Sequence, residues 1–203
     1  MTAPVSNFAV QRARNLLRPA EATGGLLDLP RVLGRVVEVS EAGFFGAVTA
    51  LCGLLLQVQA RLEQIAWVET GTSVFFPPDL AFRGLDVEAI TVVLTPEAKA
   101  GLQAADLLLR SGAFGLIVID WVGSTVDEAT LGRLARMAED RQTAVVFLTR
   151  KRADVASLGT QVSLRGVVSL TPLGETQWQV IRDKQSGPLS QDKAQFYGPF
   201  GLY

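Results

Sequence analysis

The stretch GRVVEVSEAGFFGAVTAL, Gly34 to Leu51, decides how this chain is read. Its first half is apolar and β-branched, its middle carries glycines, and its second half is apolar again, so it reads as a strand, a turn and a helix start. That is the layout of a phosphate-binding loop. Such a loop works through G-x-x-x-x-G-K-[ST], in which backbone N–H groups cradle the phosphates, the lysine meets the terminal phosphates and the hydroxyl holds magnesium. Counting back from Gly46 puts Glu41 at the first glycine, Ala47 at the lysine and Val48 at the hydroxyl residue. The scaffold is kept and the ligand contacts are not, which points away from an ATPase and toward a protein that works by contact.

Outward from this stretch, β-like and helical patterns alternate. Short apolar runs at 35–40, 64–69, 90–94, 114–119 and 143–148 read as strands buried on both faces. Helices are predicted between them at 44–62, 96–111 and 126–141, with Pro96 in a first turn and Gly112 at a C-terminal end. The fold class is therefore α/β, a mostly parallel sheet flanked by helices. Val162–Thr171 and Thr176–Ile181, with a turn at Leu173-Gly174, predict a C-terminal antiparallel hairpin at one edge. Ahead of the core, Asn7 can cap a helix from Phe8 to Arg18, stopped by Pro19 and linked on by Gly24-Gly25. The expected organisation is an N-terminal helix and linker over 1–25, a core over 26–188 and an aromatic tail over 189–203.

Composition narrows the class. A chain of 203 residues can bury about 70% of its unfolded surface, enough for a core without staples. With 48% hydrophobic residues, 19% charged residues and a net charge of −1, it is neither disordered nor a generally basic nucleic-acid binder. The single cysteine, Cys52, has no partner for an intrachain disulfide, so a reducing, cytoplasmic setting is expected. No signal peptide is expected either, since Arg12, Arg14 and Arg18 interrupt the first residues. The uncharged stretch from Ala42 to Ala60 is long enough to cross a bilayer. Gln57, Gln59 and the flanking Glu41 and Arg61 favour instead a helix packed between a sheet and other helices, with no membrane contact.

Candidate chemistry is sparse. The chain has no histidine, which removes the commonest general base and any histidine-held metal, and Cys52 in its apolar surroundings lacks an activating base. No catalytic residue, metal or cofactor is expected. Losing the lysine contact alone forfeits about 1.5–3 kcal/mol of charge-assisted bonding to phosphate, and Glu41 adds repulsion. With the magnesium ligand gone as well, a loss of about 4 kcal/mol weakens nucleotide binding nearly a thousandfold.

The ordered set of segments resembles the RecA recombinase core. Gly34-Arg35-Val36-Val37-Glu38-Val39 is similar to the strand entering its phosphate loop, and Ala66-Trp67-Val68-Glu69 to its second strand. Leu108 to Asp120 resembles the helix and strand ending in the Walker B aspartate. Val145–Thr149 and Val162–Arg165 fit the strands that follow, so the resemblance runs from Gly34 to Pro188. It implies a vestigial nucleotide site at Glu41, Gly46, Ala47, Val48 and the Walker B-like Asp120. It also implies that Gly71 occupies the place of the water-activating carboxylate, with Glu69 two residues before it.

Among relatives with a broken phosphate loop, the chain most resembles ImuA, an accessory of bacterial translesion synthesis, in its length, short linkers and Ser163-Leu164-Arg165 segment. The implied function is noncatalytic and DNA-damage-linked, exerted through contact with RecA and/or an ImuB-type polymerase partner, with a nucleoid-associated location. A SulA-like division inhibitor that binds the tubulin-like division protein is the alternative, and a DNA-dependent ATPase the third reading. Weak or indirect DNA contact falls to Arg150, Lys151 and Arg152, with Arg182 and Lys184 as neighbours after folding, against the plainer reading of a solvated loop. Partner contact, self-association included, falls to the two ends: Phe8, Leu16 and Leu17 in the first helix, and Phe196, Tyr197, Phe200 and Tyr203 in the tail. The alternative for both ends is that they cover their own domain.

Overall fold

The computed structural model describes residues 27–41, 46–71, 75, 80, 81, 83–123, 125–170, 176–184 and 194–196. The predicted helix 8–18, the Gly24-Gly25 link and the Leu173-Gly174 turn lie outside them. A short helix α1 (Leu29–Val32) leads into β1 (Val36–Glu41), α2 (Ala47–Ala60) and β2 (Gln64–Thr70). Next come β3 (Ile90–Thr95), α3 (Ala98–Ser111), β4 (Phe114–Trp121), α4 (Glu128–Arg141) and β5 (Ala144–Thr149). The chain closes with β6 (Leu164–Leu170), β7 (Thr176–Asp183) and β8 (Ala194–Phe196). These strands form one 8-stranded sheet in the order β3-β2-β4-β5-β1-β6-β7-β8. The pairings from β3 through β6 are parallel, and β6–β7 and β7–β8 are antiparallel.

Alternation along the strands builds two cores. Val37, Val39, Ile65, Trp67, Leu116, Val118, Val146 and Leu148 pack under α1 and α2. Their neighbours Val36, Ala66, Val68, Ile117, Ile119, Val145 and Phe147 pack under α3 and α4. Because side chains of successive strand residues point to opposite faces, a continuous apolar run is what a sheet covered on both sides requires. Helix α2 buries Ala47, Ala50, Leu51, Cys52, Leu54, Leu55 and Val58, which explains its lack of charge. No helix among the described residues is long and apolar enough to cross a membrane.

Local signals set the helix ends. Asp127 caps α4 by accepting from the Thr130 amide at 2.9 Å, and Gly112 ends α3 in the left-handed region at φ 66°. Pro96, expected inside the first turn of α3, precedes its cap at Glu97 instead. The run at 90–94 departs from the expected burial on both faces. As the edge strand β3 it leaves Leu94 73% exposed, because only one side of the sheet continues beyond it. The predicted hairpin is present as β6–β7, and β8 lengthens it to three strands. Trp178 lies across β6 at Gly166, where an added Cβ would come within 1.9 Å of the indole; only glycine allows that approach.

Candidate functional site

In open parallel sheets, ligands sit beyond the carboxyl ends of the strands. Here β2, β4, β5 and β1 lie side by side in the sheet and deliver Glu69, Asp120, Arg150 and Glu41 to that rim. Helix α2 starts there, and its first-turn N–H groups have no intrahelical acceptor.

The strand–loop–helix arrangement brings Glu41, Gly46, Ala47 and Asp120 together at this rim. Glu41 Oε2 accepts from the Ala47 amide at 3.0 Å, so a carboxylate caps α2 where a bound phosphate would be held. The Gly46 amide supports the same carboxyl group. Ala47 is buried in the core and Val48 packs against it, so the positions of the lysine and the hydroxyl contribute to packing. Burial raises the Glu41 pKa above the usual glutamate value, and the negative charge of Asp120 adds to this. The Ala47 and Gly46 amides and the Arg150 guanidinium oppose the rise.

Asp120, at the Walker B-like position, is only 9% exposed and meets Arg150 Nη2 at 3.5 Å. Glu69 is 6% exposed and accepts from the Phe75 amide; burial, with Asp120 as a like charge, raises its pKa. Thr70 Oγ1 donates to the Asp120 carbonyl at 2.6 Å and accepts from the Val122 amide, tying the ends of β2 and β4 together. Gly71, just beyond the end of β2, has φ +83°, a conformation that any side chain would strain. The rim thus gathers the carboxylates of Glu41 and Glu69 near Asp120, which Arg150 meets, the reverse of the positive surroundings that a triphosphate needs. No cluster of His, Cys, Asp and Glu suited to a metal occurs among the described residues.

The basic triplet is split. Arg150 turns to Asp120, whereas Lys151 is buried with Nζ 3.4 Å from Glu38 Oε1 and donating to the Ala156 carbonyl. Arg152 is exposed and meets Asp154 at 3.2 Å. Lys184 is engaged elsewhere: its amide donates to the Ser163 carbonyl and its Nζ to the Thr160 carbonyl.

Sequence reasoning missed the centre of this region, Glu38. Fully buried in β1, it receives Ser157 Oγ at 2.7 Å, the Leu158 amide at 3.0 Å and Thr149 Oγ1 at 3.1 Å, with Arg165 Nε at 3.7 Å. Arg165 also donates to the Val155 and Arg152 carbonyls, so the segment between β5 and β6 is fastened from beneath. A glutamate inside the run Val36-Val37-Glu38-Val39 is itself the signal, since a buried charge requires a partner. The Ser163-Leu164-Arg165 segment belongs to the same framework. Ser163 Oγ accepts from Arg35 Nε at 2.9 Å and donates to the Val36 carbonyl, while Leu164 is buried. Arg35 and Arg31 both bind Asp183, at 2.9 and 2.7 Å, joining α1 and β1 to β7.

Of the residues expected to bind a partner, Phe8, Leu16, Leu17, Tyr197, Phe200 and Tyr203 lie outside the described residues. Phe196 falls within β8, whose backbone pairs with Thr176–Trp178, so this part of the tail extends the chain's own sheet.

The mostly parallel sheet, its flanking helices and the strand–loop–helix rim define a RecA-like α/β core. Over 108 residues, 53% of the chain, it is 32% identical to the RecA protein of Nocardia farcinica, covering 30% of that protein. The RecA protein of a Nocardioides species is 33% identical over the same length, and that of Mycobacterium tuberculosis is 32% identical, with 13% of that protein covered. The chain therefore spans less than a third of the curated relatives it matches. No family model matches it.

Proposed function

We propose that this protein is a noncatalytic RecA-like accessory of bacterial DNA-damage-induced translesion synthesis, an ImuA-type protein. In this reading it acts by contact with RecA and/or an ImuB-type polymerase partner at the nucleoid. The observation that carries the noncatalytic half is the Glu41 carboxylate at the head of α2, with buried Ala47 in place of the lysine. A nucleotide phosphate entering there would meet a carboxylate already bonded to the amides it needs, with Asp120 close behind. The partner half is supported by the likeness to RecA over half the chain and by the Ser163-Leu164-Arg165 resemblance, since a related core can offer a filament-type face without cycling ATP.

Two measurements test this. Titration with magnesium-ATP should show neither binding below millimolar ligand nor phosphate release; saturable micromolar binding defeats the noncatalytic reading. Capture on immobilised protein from a DNA-damaged bacterial extract should retain RecA or the polymerase partner. Retention of the division protein instead selects the SulA-like alternative.

A further inference from the structure

We propose that Glu41 is a built-in occupant of the phosphate position, so that the end of β1 is fastened to the start of α2 as a bound anion would fasten it. On this view the site has not simply lost its ligand. The protein has taken the ligand's charge into its own sequence.

The geometry makes three points. First, the bond is made by the right group: the Ala47 amide is the first-turn donor following Gly46, and a carboxylate oxygen lies 3.0 Å from it. Second, the compensating charge arrives from a different strand. The positive charge that the motif places at position 47 is absent from α2, and Arg150, following β5, brings one to the same rim, 3.5 Å from Asp120. Third, the substitution is self-consistent. Glycine at position 41 would leave the amides to solvent or to a free anion, whereas glutamate there has the reach to return to them.

This arrangement also explains why Glu41 stays close to a second carboxylate. Desolvation and Asp120 work against its charge; the Ala47 and Gly46 amides and Arg150 work for it, the balance expected of an anion held by dipoles and one cation. A consequence, which rests on the accessory reading above, is that partner binding is insensitive to nucleotide, because the position that would sense nucleotide is permanently filled.

The full-length chain tests this by amide NMR with inorganic pyrophosphate as the probe. In the unaltered protein the Gly46 and Ala47 amide protons should titrate together with a midpoint above the ordinary glutamate value, and should not respond to millimolar pyrophosphate at neutral pH. In Glu41→Gly that titration should vanish, and the same two amides should shift saturably with millimolar pyrophosphate. Amides that respond to pyrophosphate while Glu41 is present, or that do not titrate, overturn the proposal. So does a folded Glu41→Gly variant that ignores pyrophosphate. Should that variant not fold, the titration of the unaltered protein decides alone. None of these readouts involves a partner, so failure here is distinguishable from failure of the accessory reading, which the capture experiment measures.

Discussion

Arg150 and Lys151 are neighbours of like charge that serve unlike regions. Lys151 enters a dry network around Glu38, with Arg165, Thr149, Ser157 and the Leu158 amide, in which the charged side chains are at most 8% exposed. Arg150 stays 48% exposed at the rim, facing Asp120 and Glu41. The first region is architecture: it fastens the segment after β5 to the sheet through Arg165 and Lys151. The second is a half-open rim at the carboxyl ends of the strands, where acidic side chains meet one partly exposed arginine. Burial separates the two roles, because a charge removed from water must be matched on the spot, whereas a half-exposed charge retains most of its hydration.

The strongest way to break this comparison is Glu38→Ala. Removing the carboxylate leaves Lys151 and Arg165 buried without their partner, and the expected loss is about 3–5 kcal/mol in urea unfolding. A cost below about 1 kcal/mol would mean that the network is no more than a surface pair. Next comes Asp183→Ala, which removes the carboxylate that buried Arg35 and the partly exposed Arg31 share. About 3 kcal/mol is expected, measured the same way.

Arg150→Ala should cost under about 1 kcal/mol, in keeping with its exposure. The same contrast dictates how DNA contact must be probed. Reversing all of Arg150, Lys151 and Arg152 would confound DNA binding with unfolding, because Lys151 belongs to the buried network. Arg150→Glu with Arg152→Glu should leave the melting temperature nearly unchanged and abolish any weak binding seen at about 50 mM salt, binding that should itself be lost by about 200 mM. Tight binding that survives both changes contradicts the contact-protein reading.

The smallest effect concerns pH at the rim. The Glu69 pKa is raised by burial, so its charge is a cost to the fold, fully present above the folded-state pKa and relieved as pH falls from there toward the ordinary value of 4.5. Glu69→Gln keeps an acceptor for the Phe75 amide and removes the charge. It should raise the melting temperature slightly at pH 7, with the gain shrinking to nothing as the pH approaches 4.5. A gain that is independent of pH would show that ionisation is not its source.

The strand–loop–helix reading of 34–51 and the alternation of apolar runs were legible because they are local. A strand covered on both faces must be apolar throughout, and a helix between sheet and helices must lack charge, whatever their distant partners. The edge position of β3 was not legible, since Ile90–Thr95 has the composition of an inner strand and only the order of the sheet exposes Leu94. The place of Ala47 and Val48 in the chain could be read by position, but the bond from the Ala47 amide to Glu41 could not.

By itself, the sequence determined the α/β class and the two-faced core. Only the tertiary structure decided which charges meet. Glu38 and Arg165 are far apart in the chain and adjacent across β1 and β6, Arg150 reaches Asp120 from the next strand, and Glu41 turns back onto the Ala47 amide. The physical reason is range: hydrophobic periodicity is fixed by the local geometry of strand and helix, whereas pairing of charges depends on strand order and register, which are set by packing over the whole sheet.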